Sequence, residues 1–357
     1  MGSSKVHIRL ARSSDRQKWD TYVCKDPNGS PYHLFGWKQA VEEAYGHRGY
    51  YLMAEDETGQ CVGVLPIICF RLPWGKKSFV SLPYCDYAGP LAEDNMICEK
   101  LSQEALELSR ESGVKKLELR CANPHHNFEP REEGKAEVIS EKVRMLLALP
   151  SRSSELWSSF KPKLRSQIRR AQKEKMYFRL GADELLNDFY RIFSINMHDL
   201  GSPVHSRKWF QALLAAYREH IKLGIVYLPS GLAVAAGIIL TVPRRVHIPW
   251  ASSLLEHNRL APNMLLYWEL LAWSADNGFE QFDFGRSTIG GGTFKFKEQW
   301  GPRVHPLFWY KHPYESQNGR RVKLPFDARE LAARIISKMP LAISGLVGSK
   351  IRRYISL

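Results

Sequence analysis

Gly278-Phe-Glu-Gln-Phe-Asp-Phe284 repeats, 165 positions later, the pattern of Gly113-Val-Lys-Lys-Leu-Glu-Leu119. In each copy a glycine stops a helical run, and a strand with apolar residues at every second position begins. The elements ahead of the two glycines also agree in order. Before Gly113 come a hairpin (Tyr50–Glu55 and Cys61–Arg71, turning across Glu57-Thr-Gly-Gln60), a strand over Ser78–Cys85 and a helix from Asn95 to Ser112. Before Gly278 come a hairpin (Ile221–Leu228 and Leu232–Val242, turning at Pro229-Ser-Gly231), a strand over Val246–Ser252 and a helix over Asn263–Asn277. Order, lengths and the shared helix stop predict a duplication: an α/β (α+β) chain of two tandem units, each a mixed sheet flanked by helices.

Size and composition fit that plan. At 357 residues the chain exceeds one ordinary core, and 44% hydrophobic with 25% charged residues is the balance of a soluble globular protein. No apolar run reaches the roughly 20 residues of a membrane span, and the N-terminus lacks the apolar segment of a secretory signal, so a cytoplasmic address is expected. Cys24, Cys61, Cys69, Cys85, Cys98 and Cys121 show no Cys-x-x-Cys spacing and read as thiols in a reducing compartment. His125-His126 has no carboxylate or cysteine at ligand spacing, and no metal site is expected.

The net charge of +14 is concentrated in two segments, residues 151–180 and 311–357, each carrying +7. In the first, Phe160, Leu164, Ile168 and Ala171 form an apolar stripe on a helix over 154–175. Lys161, Arg165, Arg169 and Lys173 recur on another face at i, i+4 spacing. Like charges so spaced repel, so this ridge is either a solvated face or a seat for a polyanion. Helices over Asp183–Leu200 and Ser206–Tyr217 follow, joined at Gly201-Ser-Pro203. In the second segment, residues 326–357 interleave apolar and basic residues, and Pro340 divides them into two short amphipathic helices. Such a tail either docks its apolar stripe on the second domain or lies on an anionic membrane through residues 327–357.

Phe282-Asp-Phe-Gly-Arg-Ser-Thr-Ile-Gly-Gly-Gly-Thr-Phe-Lys-Phe-Lys-Glu-Gln-Trp-Gly301 carries the clearest functional signal. Gly285 is expected to break the strand and Gly290–Gly292 to form an open turn, ringed by Arg286, Lys295 and Lys297 with Phe294, Phe296 and Trp300 between them. A cationic, aromatic loop at the carboxyl end of a strand suits an anionic or sugar-linked ligand. The alternative is a solvated hairpin. Asp86, in Tyr84-Cys-Asp-Tyr87, either handles a proton or caps a turn. His205, in Pro203-Val-His-Ser206, either serves a site or is structural.

The second-half motifs Pro249-Trp-Ala-Ser-Ser253, Asn258-Arg-Leu-Ala-Pro-Asn-Met-Leu-Leu-Tyr267, Asp283-Phe-Gly-Arg-Ser287 and Gly292-Thr-Phe-Lys-Phe-Lys-Glu-Gln-Trp-Gly301 resemble those of the FemAB-like peptidyltransferases, within the GNAT superfamily. The likeness is closest to the FemAB-type proteins of exosortase and exopolysaccharide systems, with Leu82-Pro-Tyr-Cys-Asp-Tyr-Ala-Gly-Pro90 and Leu164-Arg-Ser-Gln-Ile-Arg-Arg-Ala171 among the shared segments. The resemblance covers about residues 30–312 and implies two tandem GNAT-like domains, over 1–150 and 151–312, with a basic helical tail over 313–357. It also implies transfer of an aminoacyl or acyl group to an amine of a cell-envelope glycan or peptide precursor. Lys297 of Phe296-Lys297 stands where the family has a catalytic lysine, although Glu298-Gln-Trp-Gly301 replaces the usual Gly-Phe-Gly. The family's coiled-coil arm has no counterpart beyond the short basic helix.

No Gly-x-Ser-x-Gly elbow and no cysteine with a base partner occur, so the expected chemistry is direct attack by the acceptor amine. Lys297 then stabilises negative charge, Arg286 places a phosphate or carboxylate, and Asp86 orients or deprotonates the amine. Trp250, Ser253, Asn258, Asn263 and Tyr267 are expected to line the crevice where strand meets helix. No tightly bound cofactor is expected; the co-substrate is an aminoacyl-tRNA, an acyl-CoA or an acyl carrier. His257-Asn-Arg-Leu-Ala-Pro-Asn263 has no glycine, and Pro262 removes an amide donor, which argues against CoA. The rival readings are a CoA- or carrier-dependent N-acyltransferase and a non-catalytic module binding polysaccharide machinery at the inner face of the membrane.

Overall fold

The computed structural model describes residues 6–124, 137–138, 142–312 and 334–356. His125-His126 and residues 326–333 of the basic tail lie outside them. The described parts of 6–143, 306–312 and 354–356 form one compact unit, and those of 144–305 and 334–353 form another.

The first unit is built on strands β1 (His7–Leu10), β2 (Arg48–Glu55), β3 (Cys61–Arg71), β4 (Lys77–Val80), β5 (Leu91–Ala92), β6 (Leu117–Cys121) and β7 (Glu137–Val138), with β15 (Phe308–His312) added from far along the chain. Their order is β1-β2-β3-β4-β6-β15-β7, with β5 on β3. β4 and β6 pair in parallel, joined by helix α3 (Asn95–Glu111), whereas the other registered pairs are antiparallel. The β2–β3 turn forms where the sequence places Asp56, whose carboxylate accepts from Thr58 N–H and Gln60 N–H, with Gly59 at φ +78°. Asp94 caps α3 by accepting from Ile97 N–H at 2.8 Å. Its apolar face closes over Leu65, Ile67, Leu117 and Leu119 with Leu101 and Ala105. Helices α1 (Arg16–Lys25) and α2 (Gly36–Tyr45) add an aromatic core, in which Trp19 stacks on Tyr51.

The strand expected over Ser78–Cys85 ends early. β4 stops at Val80 because Leu82 and Tyr84 take φ of +73° and +67°, which no strand accepts. Arg120, 1% exposed, holds this strained turn. Its guanidinium donates to the carbonyls of Leu82 (3.1 Å) and Cys85 (3.3 Å) and to Ser356 O and Oγ, while Nε binds Glu118 at 2.7 Å. The guanidinium also lies 5.0 Å from the Trp309 ring. Burial pushes Glu118 up, but Arg120 and Lys311 outweigh it and hold the carboxyl below its ordinary value.

The second unit repeats the plan. Its strands are β8 (Lys142–Ala148), β9 (Tyr177–Gly181), β10 (Ile221–Tyr227), β11 (Ala233–Val242), β12 (Arg245–Ser253), β13 (Gln281–Thr288) and β14 (Arg303–Pro306), in the order β14-β8-β13-β12-β11-β10-β9. β12 and β13 pair in parallel through helix α8 (Pro262–Asp276), just as β4 and β6 do through α3. All ten residues of β11 are buried, as a central strand covered on both faces requires. Helices α4 (Ser153–Ser159) and α5 (Pro162–Lys173) pack on α8. Helices α6 (Leu186–Asp199) and α7 (Arg207–Tyr217) complete the unit, α6 against β11 and β12 and α7 against β10.

Four expectations change here. The basic helix is two helices, because Phe160 and Lys161 turn extended ahead of Pro162, which opens α5 at its first position. β13 does not break at Gly285 but runs through it to Thr288, since Asp283 Oδ1 accepts from Gly285 N–H at 2.7 Å and steadies its φ of +71°. The glycine run is not an open loop either: Gly291 stands at the N-cap of helix α9 (Gly292–Glu298), which buries Phe294 and Lys297 three residues apart. Phe308–His312, assigned by sequence to the second half, pairs instead with β6.

Candidate active site

β12 and β13 hold together only at their start. Their registered partners are Arg245↔Gln281, Val246↔Phe282 and His247↔Asp283. Beyond that rung β12 continues to Ser253, still registered with β11, and β13 runs to Thr288, with no further registered pair between β12 and β13 among the described residues. Two parallel strands parting at their carboxyl ends leave backbone edges open in a wedge, the usual ligand position of an open α/β sheet.

Expected site residues gather around the wedge. At the end of β12, Ser253 Oγ donates to Asn258 Oδ1 (3.0 Å) and accepts from Asn263 Nδ2 (2.9 Å). This joins the strand end, the turn over 255–260 and the first turn of α8. Ala261, at φ +57°, swings the chain into α8. Across the wedge, Lys297 is buried at 8% exposure, and its ammonium donates to Arg286 O (2.9 Å) and Gly285 O (3.3 Å). It is therefore not a surface lysine. Tyr267 of α8 stacks on Phe284 at 5.8 Å and meets Phe296 (4.9 Å) and Trp300 (6.1 Å), so the aromatics flanking Lys297 seat α9 on α8. Gln299 Nε2 adds a contact to Met264 Sδ at 3.8 Å. Burial pushes the Tyr267 phenol up and keeps it neutral.

The other expected residues differ in where they stand. Arg286 is half-buried on β13 and Lys295 is exposed on α9. Trp250 packs in a different aromatic cluster, 5.3 Å from Phe210 and 6.0 Å from His205. His205 is a buried ring stacked 5.7 Å from Trp209, which fits its structural reading. Asp86 belongs to the first unit, where its carbonyl accepts from Trp309 Nε1 at 3.2 Å.

Burial and the nearby Arg352 drive the His205 pKa well below 6.5. The unfolded chain takes up this proton below 6.5 while the folded chain does not, so stability is full above that pH and falls as pH drops through it. His205→Phe is expected to flatten that fall by up to about 1.4 kcal/mol per pH unit between pH 6.5 and 5, measured as urea unfolding against pH.

Sequence reasoning missed His247. It lies 3.6 Å from Asp283, both 1% exposed, on the last rung before the strands part. A lone histidine in a strand gives no sign of its cross-strand partner until register is known. On the outer side, Arg170 of α5 donates to Arg259 O at 3.0 Å, tying the basic helix to the turn that carries Asn258. Lys161, Arg169 and Lys173 are exposed and Arg165 is half-buried. All six cysteines are free thiols, and burial pushes Cys61 up to about 12 and Cys98 to about 11, so neither supplies thiolate at neutral pH.

Residues 158–298, which include this wedge, match the acetyltransferase (GNAT) domain family. Over this stretch the second unit is therefore similar to a GNAT acetyltransferase domain. Over both units the fold is similar to that of FemX, at 14% identity and a TM-score of 0.71, covering 86% of this chain and 97% of that one. It is also similar to L-PGS from Bacillus licheniformis (12% identity, TM-score 0.58, 93% and 100% covered). A third similar structure is the C-terminal domain of a putative lysylphosphatidylglycerol synthetase from Agrobacterium fabrum (12%, 0.56, 84% and 92%). At these identities the likeness is one of fold: two tandem GNAT-like units. No curated protein matches the chain in sequence. Among the described residues no helix is long and apolar enough to cross a membrane.

Proposed function

We propose that this acyltransferase moves an aminoacyl or acyl group onto an amine of a cell-envelope glycan or peptide precursor, by direct attack of the amine on the donor carbonyl. The observation that carries this reading is the buried Lys297 ammonium beside the parting of β12 and β13. The acceptor nitrogen bonds to the carbonyl carbon, the donor ester or thioester bond breaks, and the leaving oxygen or sulfur takes a proton. Negative charge on the tetrahedral intermediate is met by Lys297 in a site shielded from water. The Ser253–Asn258–Asn263 network fixes the mouth of the wedge, and Arg286 places an anionic group of a substrate.

An aminoacyl-tRNA fits the donor side better than acyl-CoA. The exposed cations of α5 sit beside the turn carrying Asn258 through the Arg170–Arg259 contact, and Pro262 occupies the first position of α8 where an amide would meet a pyrophosphate. The fold relative named for lysylphosphatidylglycerol also bears an aminoacyl product in its name. Incubation with labelled aminoacyl-tRNA and with labelled acyl-CoA, each with amine-bearing envelope precursors, tests the reading. Transfer from the tRNA donor, weakening several-fold or more between low and physiological salt, is expected. Transfer from acyl-CoA alone selects the rival donor, and none from either refutes acyl transfer as its role.

A further inference from the structure

The C-terminal helix α10 (Leu341–Arg352) docks with its faces reversed relative to an ordinary amphipathic helix. The face turned inward carries small residues. Ser344 is 5% exposed, and a Cβ added at Gly348 would stand 3.0 Å from Val204 N and 3.4 Å from Pro203 Cα. His198 Nε2 lies 2.8 Å from Met339 O and anchors the segment entering the helix. The face turned outward is apolar: Ile343, Leu346, Val347 and Ile351 are 49, 68, 38 and 41% exposed. Their i, i+3, i+4, i+8 spacing makes one stripe. The helix thus packs on the second unit through close backbone contact at Gly348, and Ile343, Leu346, Val347 and Ile351 stay exposed.

Cations flank the stripe in sequence. Arg334, Lys338 and Lys350 are exposed, and residues 334–356 contain no Asp or Glu. Apolar side chains flanked by lysine and arginine match a bilayer surface bearing anionic headgroups, with the acyl region taking the stripe and the headgroups the cations. A second copy of this chain fits poorly, because two such basic surfaces of a +14 protein repel. We infer that α10 is a membrane-docking surface that seats the folded protein on an anionic bilayer through Ile343, Leu346, Val347 and Ile351. This rests on none of the acyl-transfer chemistry above and stands or falls separately from it.

Flotation of the full chain with vesicles of equimolar phosphatidylglycerol and phosphatidylcholine, and with phosphatidylcholine alone, tests the surface. Preferential binding to the anionic vesicles is expected. The double variant Leu346→Glu, Val347→Glu alters two exposed positions and is expected to bind about tenfold more weakly or worse, with an unchanged unfolding midpoint. Equal binding by the double variant, or no binding by the wild type, overturns the proposal. So does concentration-dependent dimerisation that the variant abolishes while vesicles fail to bind, since the stripe then belongs to a second copy.

Discussion

Lys297→Met is expected to lower acyl transfer by about 100-fold or more while the protein stays folded, if Lys297 meets the charge of the tetrahedral intermediate. The size follows from what is removed. The ammonium is fixed by Arg286 O and Gly285 O before any substrate arrives, so stabilising the intermediate requires no reorganisation of the lysine. Methionine keeps most of the aliphatic volume between β13 and α9 but offers no donor. Lys297→Arg keeps the charge, yet its planar fork does not reproduce a compact ammonium seated on two carbonyls, so only partial recovery is expected. Steady-state transfer and thermal unfolding of the wild type and both variants check this. A fully active methionine variant removes Lys297 from the mechanism.

Arg120→Met is expected to destabilise the first unit by about 3–5 kcal/mol, the largest single-residue effect on stability that we anticipate. The change strips Glu118 of its closest cation and leaves the carbonyls of Leu82 and Cys85 without the donor that holds them. The turn at Leu82 and Tyr84 then has less to offset its left-handed backbone. The Glu118 carboxyl is held below its ordinary 4.5, so its stabilisation is present above that pH and is lost as pH falls through the lowered value. In the variant this acid-sensitive component shrinks. Urea titrations at neutral and mildly acidic pH measure both effects; a loss below about 1 kcal/mol would mean the turn is held by other contacts.

Much of the fold was legible because both halves use local signals. Gly113 and Gly278 do take positive φ, +62° and +79°, as the helix stop requires, and both hairpins turn on glycines with positive φ. What local signals cannot show is which distant strand completes a sheet: nothing in Phe308–His312 names β6 as its partner. The glycine run misled for a related reason. Gly290–Gly292 reads as a turn, but Phe294 and Lys297 share one face of α9 only once Tyr267 and Phe284 are there to receive it. Within the site, Ser253, Asn258 and Asn263 were legible as a group and prove to be one hydrogen-bonded network. The His247–Asp283 pair depends on register, which pattern alone does not give.

In the proposed reaction the donor carbonyl sits where β12 and β13 part. Hydrogen exchange with unreactive donor analogues, an amide-linked aminoacyl-adenosine oligonucleotide and a thioether-linked acyl-CoA, tests it most directly. Protection concentrated in residues 249–253, 262–264 and 285–298 is expected. Binding that leaves those amides unprotected, with protection confined to other segments, would contradict it.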